Sequence, residues 1–323
     1  MASERLAVVI LTWNNVRYTL ECLQSLAAQA FPCTIYVVDN ASTDGTPECV
    51  ASRFPETHVI VNDDNLGFSG GNNVGLTAAF AAGAETVLLL NNDTTLAPDA
   101  LAHLTEATHT HPQAGLLNPA ILFAQPPHRI WFAGATLNPW TGWSYHTAYN
   151  TAYTALDPGI RETCRSTGCA LLITRDCYER IGGLDDSFFM YVEDVEYSMR
   201  AQQAGFPVLL VPKAVVYHHV SVSAVEKSPD TTYYGLRNTI ITMDRLHPLP
   251  AIMQQMRHML IVIGKIYYIA KPPSAFGRIG DIRDGYRDAL RHYMGKRHVV
   301  RRSHISETVS LPSPVTAQIE EAI

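Results

Sequence analysis

The sequence predicts an α/β fold built on a mostly parallel sheet with helices on both faces. Three observations lead there. Short apolar runs rich in β-branched residues recur through the first third of the chain: "LAVVIL" at 6–11, "TIYVVDN" at 34–40, "HVIVN" at 58–62 and "TVLLLNND" at 86–93. Segments of helical spacing or composition separate them, which is the alternation of parallel α/β units. The runs are apolar at successive positions rather than at every second one, so both faces of each strand must be covered.

The elements follow in order. After the first strand comes the polar turn "TWNN", and then Val16, Leu20, Leu23 and Leu26 recur at helical spacing. The second strand leads through the turn "ASTDGT" to a short helix, "PECVASRF", with Pro47 near its start. The third runs into a glycine-rich loop, "NLGFSGGNNVG", and an alanine-rich helix that ends near Gly83. From about 110 to 165 the pattern loosens into short strands and aromatic loops that carry Trp131, Trp140 and Trp143. "CALLITRD" (169–176) returns to strand. "VEDVEYSMRAQQAGF" (192–206) reads as a helix with acids in its first turn and Gly205 closing it, and "PVLLVPKAVVYHH" as strand. The predicted organisation is a catalytic domain over 1–220, a basic helical region over 221–302 and a flexible tail over 303–323.

The 323 residues, 47% hydrophobic, suffice for one large core with an appendage or for two domains. A net charge of −6 with 17% charged residues gives no case for nucleic acid binding. The charge is uneven: residues 257–302 hold eleven Lys/Arg against Asp281, Asp284 and Asp288. That segment suits a phosphate-bearing or membrane surface, or simply a solvated helix face. Ile252, Met256, Met259, Ile263 and Tyr267 fall on one helical face, as in a helix lying on lipid, a dimer interface or a core helix. Six cysteines without a CxxC pair, an N-terminal apolar run too short for a signal peptide, and no run of eighteen apolar residues predict a cytoplasmic chain with reduced thiols and no membrane span.

In parallel α/β sheets ligands bind beyond the carboxyl ends of the strands. Polar groups crowd those ends: Thr12 to Asn15, Asp39-Asn40, Asn62 to Asn65, and Asn91 to Asp93. Asp93 could hold a hard divalent cation whose remaining ligands are diphosphate oxygens. Alternatively, Asp93 or Thr95 caps the helix of "TTLAPDALAHL". The glycine-rich loop would let a ligand approach the backbone and would present helix N–H groups to an anion, or else serve tight packing. It has neither the P-loop ending nor a strict GxGxxG. Glu193 and Asp194 open a helix, whose dipole favours carboxylates, and there one could act as general base. Capping alone would explain the acids equally. His218 and His219 end a strand and offer imidazole to a metal, or are surface residues.

Taken together, "VVILTWNN", "VVDNASTDGT", "NLGFSGGNNVG", "LLLNND", "STGCALLITRD", "FFMYVEDVEYSMRAQQAGF" and "VVYHHVSVS…YYGLRN" resemble the family 2 glycosyltransferases of the Rossmann-like GT-A fold, in their rhamnosyltransferase-like branch. The resemblance covers roughly residues 5–240. It implies a nucleotide-diphosphate-sugar donor, dTDP-rhamnose or a UDP-sugar, and transfer with inversion to a hydroxyl of a glycan or lipid-linked acceptor in cell-surface polysaccharide synthesis. Thr12, Asn14 and Asp39 would then hold the nucleoside, with Asp39 accepting the base imide N–H. Asn65, Gly67, Gly71, Asn72 and Asn92 would border the nucleotide and sugar. Asp93 and His218 would bind Mg²⁺ or Mn²⁺, Asp194 beside Glu193 would be the base, and Arg237 of "YYGLRN" would offset leaving-group charge. Asn91 stands where the family's DxD motif has its first carboxylate, which weakens the expected metal site. Trp131, Trp140 and Trp143 form the candidate acceptor wall. The expected location is the inner face of the cytoplasmic membrane, with peripheral contact through 252–302. Two other readings stay open: a nucleotidyltransferase, although the glycine-rich loop lacks a basic residue, and an inactive nucleotide-sugar-binding paralogue.

Overall fold

The computed structural model describes residues 5–219, 229–269 and 279–297. The proposed tail at 303–323 and the start of the helical region at 221–228 lie outside the described residues. Strands and helices alternate first as β1 (Leu6–Thr12), α1 (Val16–Ala27), β2 (Thr34–Asp39), α2 (Thr46–Arg53), β3 (His58–Val61), α3 (Gly67–Ala81) and β4 (Thr86–Asn91). Next come β5 (Thr94–Leu96), α4 (Ala100–Thr110), β6 (Leu116–Phe123), β7 (Ile130–Phe132), β8 (Ala135–Leu137), β9 (Ser144–His146), β10 (Arg161–Glu162) and β11 (Ala170–Thr174). The chain continues with α5 (Arg175–Ile181), α6 (Glu193–Gln203), β12 (Val208–His218), α7 (Pro229–Leu246), α8 (Ala251–Ile269) and α9 (Ile279–Leu290).

One mixed sheet organises the molecule in the order β10-β12-β6-β11-β4-β1-β2-β3, with β5 added to β12 and β7 to β6. The neighbours β1–β2, β1–β4, β2–β3 and β6–β12 are parallel, whereas β11 runs antiparallel between β4 and β6. Alternation along the strands explains the continuous apolar runs. Leu6, Val8 and Ile10 of β1 join Leu88 and Leu90 of β4 in a core with Leu23, Leu26, Leu101 and Leu104 from α1 and α4. Ala7 and Val9, with Val87 and Leu89, point the other way, to Leu76 and Phe80 of α3 and Tyr197 of α6. A third cluster joins Phe188 to Leu236, Ile240, Ile261 and Ile282 of the C-terminal helices.

Two sequence expectations change here. "NLGFSGGNNVG" is not a loop: Gly67 opens α3, and the glycines lie in its first turns. A Cβ on Gly71 would come 2.3 Å from Leu11, and one on Gly75 would come 2.3 Å from Val9, so these glycines let the helix lie against the sheet. Residues 94–96, expected to lead into a capped helix, form β5, which pairs antiparallel with β12. Asp93 therefore caps no helix, and the register sets Thr94 opposite His218.

Candidate active site

The polar strand ends meet along one edge of the sheet. Asp39 is fully buried; its Oδ2 accepts from Ser42 N at 2.8 Å, while Oδ1 has no partner. An unpaired buried carboxylate oxygen wants a donor, and an N–H from a ligand would supply one. The neighbouring turns are braced by side chains. Asn14, in the left-handed region at φ 61°, donates its N–H to Ser42 Oγ and accepts from Thr43 N through Oδ1. Thr12, 1% exposed, receives a hydrogen bond from Asn92 Nδ2 at 3.2 Å, and the same amide reaches Thr19 Oγ1.

Asn65 and the buried Asn72 act on α3 itself. Asn65 Oδ1 accepts from Gly67 N, and Asn72 Nδ2 donates to Phe68 O. The N–H groups that the sequence offered to an anion are occupied: Phe68 N and Ser69 N both donate to the carbonyl of Phe189, at 2.6 and 3.4 Å. Gly67 has φ +77°, and a Cβ there would sit 2.3 Å from that carbonyl oxygen. The glycine-rich segment thus serves packing and close approach to residue 189 rather than an open anion nest.

At the centre, β5 brings Asp93 against β12. His218 Nε2 lies 3.2 Å from Asp93 Oδ1, yet among the described residues this oxygen makes no hydrogen bond, and neither does the buried His218 Nδ1. One carboxylate and one imidazole side by side, both with unpaired atoms, suit a divalent cation in donor type. Among the described residues no group of three or more His, Cys, Asp or Glu accompanies them.

The acidic pair stands nearby at the start of α6. Cys169 O accepts from Asn91 N, two residues before Asp93, and the adjacent Gly168 N donates to Asp194, so the two carboxylates flank one short segment. Asp194 Oδ2 accepts from Gly168 N at 3.2 Å and lies 3.5 Å from Nη1 of Arg165, a buried guanidinium. Burial, and then the charge of Asp194, push the Glu193 carboxyl up to about 8. Glu193 therefore keeps its proton at neutral pH, while Asp194 faces the guanidinium. His146, 5.0 Å from the Trp131 ring, is brought down to about 4 by burial and then by Arg165. It is a neutral imidazole at physiological pH.

Other expected residues lie elsewhere. Arg237 is fully buried, and all three of its nitrogens bond within the protein: Nε to Asn238 Oδ1, Nη1 to Gly295 O and Nη2 to Phe188 O. It does not face a diphosphate, because its donors are taken up by Asn238, Gly295 and Phe188. The three indoles do not form one wall. Trp131 packs edge-on to His218 at 4.7 Å, Trp143 lies where a Cβ of Gly264 in α8 would be 2.2 Å away, and Trp140 is 47% exposed. A cleft of about 520 Å³ beside His218 and His219 is lined instead by Tyr18, Phe123, Tyr149 and Arg129.

A family model described as "Glycosyltransferase like family 2" matches residues 4–233. The chain belongs to this glycosyltransferase family. It is 30% identical over 239 residues to N-acetylglucosaminyl-diphospho-decaprenol L-rhamnosyltransferase of Mycobacterium tuberculosis, covering 66% of this chain and 76% of the relative. It is 20% identical over 247 residues to the dTDP-rhamnosyl transferase RfbF of Shigella flexneri, covering 74% and 80%. Two solved structures share the GT-A fold. GalNAc-T7 with UDP, GalNAc and Mn²⁺ aligns with a TM-score of 0.64 at 14% identity, over 90% of this chain but 58% of its own length. The mannosyltransferase PcManGT of Pyrobaculum calidifontis, in complex with GDP-Man and Mn²⁺, gives 0.54 at 17% identity, over 89% and 79%.

The contacts of three groups in this glycosyltransferase were not legible in the sequence. Arg165 precedes "STGCALL" with nothing local to mark it. Asn40 ties β2 to α3 through Nδ2 to Gly67 O at 2.9 Å and accepts from Asn62. Asn238 was noticed only as the neighbour of Arg237. Their partners come from distant segments, so no local spacing could reveal them.

Proposed function

We propose that this glycosyltransferase moves a sugar, rhamnose from dTDP-rhamnose in the first instance or a hexose from a UDP-sugar, to a hydroxyl of a glycan or lipid-linked acceptor, with inversion. The observation that carries the reading is the convergence of the Asp93–His218 and Glu193–Asp194 pairs on the segment Gly168–Cys169, which is hydrogen-bonded to Asn91 on one side and to Asp194 on the other. Asp39 Oδ1, buried and unpaired, would accept the imide N–H of thymine or uracil. Asp194 takes the proton of the acceptor hydroxyl while that oxygen bonds to the anomeric carbon. The bond from carbon to diphosphate breaks on the opposite face, and the electron pair leaves with the nucleoside diphosphate. Glu193, protonated, keeps a second negative charge away from the reacting centre. Asp93 and His218 would hold Mg²⁺ or Mn²⁺, which supplies positive charge against the diphosphate when bound.

The acceptor side suits a lipid surface. Ile252, Met256, Met259, Ile263 and Tyr267 on α8 are 72%, 56%, 56%, 54% and 67% exposed, whereas Arg257 and His258 of the same helix are buried on Asp244. Among the described residues no helix is long and apolar enough to cross a membrane. The exposed cations Arg283 and Arg287 of α9, and Arg291 just beyond it, would add attraction to anionic lipid. The similarity to an enzyme named for a decaprenol-linked acceptor supports the same reading, and with it a place at the inner face of the cytoplasmic membrane.

Thermal shifts with dTDP, UDP and GDP, each with and without Mn²⁺, test the donor. At a hundredfold excess over Kd the preferred nucleotide should add about 2.7 kcal/mol, which is roughly 5–10 °C for a domain of this size. The shift should be larger for dTDP or UDP than for GDP and should grow with Mn²⁺. No shift with any of them overturns the donor site, and donor binding without transfer or donor hydrolysis favours an inactive paralogue. Co-sedimentation with phosphatidylglycerol vesicles, lost on Met259→Glu, supports the lipid contact; no association contradicts it.

A further inference from the structure

The backbone leading into the acidic pair is held in conformations that L-residues rarely adopt. Phe189 has φ 68° and ψ −61°, and Met190 N donates to Phe188 O at 2.9 Å, which makes a γ-turn of the rare strained form. Tyr191 follows at φ 65°, and Val192, which is β-branched, at φ 73°. Glu193 and Asp194 come next, with Glu196 N already bonded to Val192 O. Such a run persists only where the surroundings over-determine it.

Two fixtures hold the turn. On one side α3 donates Phe68 N and Ser69 N to Phe189 O. On the other, Asn238 of α7 spreads its amide over three carbonyls: Phe188 O at 3.3 Å, Met190 O at 2.9 Å and Tyr191 O at 2.7 Å. Arg237 Nε donates to Asn238 Oδ1 at 2.8 Å, which turns the amide so that its N–H groups face the turn. Arg237 also donates to Phe188 O and to Gly295 O, and Gly295 N returns a bond to Ser187 O. Both side chains are fully buried, with the guanidinium over the rings of Tyr233 and Tyr234.

We propose that Asn238, oriented by Arg237, is a positioning residue for Asp194: it holds the strained 188–192 turn in the form that sets the base against the acceptor. This rests on the transferase reading above. It also assigns the C-terminal helices a part in the reaction, since α7 supplies the clamp. A misplacement of about 1 Å at a reacting group can cost about a hundredfold in rate, and relaxation of the turn would produce displacements on that scale.

Asn238→Asp tests this. It keeps the size of the side chain and a partner for Arg237, but it removes both N–H donors from the turn. The expected result is a fall in kcat of about a hundredfold, with donor KM and nucleotide affinity within threefold of wild type. Hydrogen exchange over 188–195 should rise at least tenfold while the β1–β4 core stays protected. A purely structural role would lower stability throughout and leave kcat of the folded fraction unchanged. If Asn238→Asp does not fold, Asn238→Ser is measured in the same way. A kcat within threefold of wild type, or unchanged exchange over 188–195, overturns the proposal. If the wild-type protein shows neither transfer nor donor hydrolysis, the transferase reading has failed, and the exchange measurement alone decides the clamp.

Discussion

Gly67→Ala, measured beside Gly45→Ala, separates backbone strain from steric overlap. Both glycines have φ +77°, but a Cβ at Gly45 meets nothing within 4 Å, whereas one at Gly67 meets Phe189 O at 2.3 Å and the Phe189 ring at 2.5 Å. The left-handed backbone costs an alanine about 1–2 kcal/mol at either site. At position 67 the Phe189 carbonyl must also withdraw, which breaks the bonds from Phe68 N and Ser69 N. At about 1 kcal/mol each they add about 2 kcal/mol. The expected losses are therefore about 1–2 kcal/mol for Gly45→Ala and about 3–4 kcal/mol for Gly67→Ala, within a total of about 5–15 kcal/mol for a typical domain. Urea denaturation followed by circular dichroism reads both. Equal losses at the two positions would refute the close approach of α3 to residue 189.

Other consequences follow from single groups. The Glu193 carboxyl, raised by burial from 4.5 to about 8, keeps its proton in the folded chain through a window where the unfolded chain has lost it. Stability should therefore fall as pH rises through that window, by an amount on the order of a few kcal/mol. Glu193→Gln should flatten that fall in urea titrations from pH 5 to 9, and an unchanged slope would contradict the assignment. Asp39→Asn keeps an acceptor for Ser42 N but presents an amide where the base N–H would donate. Calorimetry should find dTDP or UDP bound about 10- to 100-fold more weakly, the equivalent of one hydrogen bond to a charged group. Unaltered affinity would remove Asp39 from the nucleoside site.

The strands β1 to β4 were legible because burial on both faces writes itself as an unbroken apolar run. β6 was not. Its sequence, "LLNPAILF", carries a proline in a strand interior, which argues against a central strand. The sheet accommodates Pro119 because β12 shifts register between Val211 and Val215, opposite Pro119 and Ala120. Buried Asn118 donates its amide to Thr167 O and Ala170 O. The glycine-rich segment left two readings open for another reason. Glycine marks both a loop open to ligand and a helix pressed on a sheet, and only Val9 and Leu11 beneath it decide between them. Asp39, Asp93 and His218 could be picked out because they stand at the ends of buried strands, and Asp194 because it opens a helix whose dipole favours a carboxylate. Arg237 was given the wrong environment, since nothing local in "YYGLRN" reveals that its donors are consumed by Phe188 and Gly295.

The central claim is that Asp194 is the base of a sugar transfer. Its direct test is the turnover of Asp194→Asn with the preferred nucleotide-sugar and acceptor, alongside nucleotide binding by the same variant. Asparagine keeps the size of the side chain and can still accept from Gly168 N, so folding and nucleotide affinity should match wild type. Transfer should fall by about 10²- to 10⁴-fold, the usual contribution of general acid–base catalysis. Near-normal transfer by this variant would contradict the account.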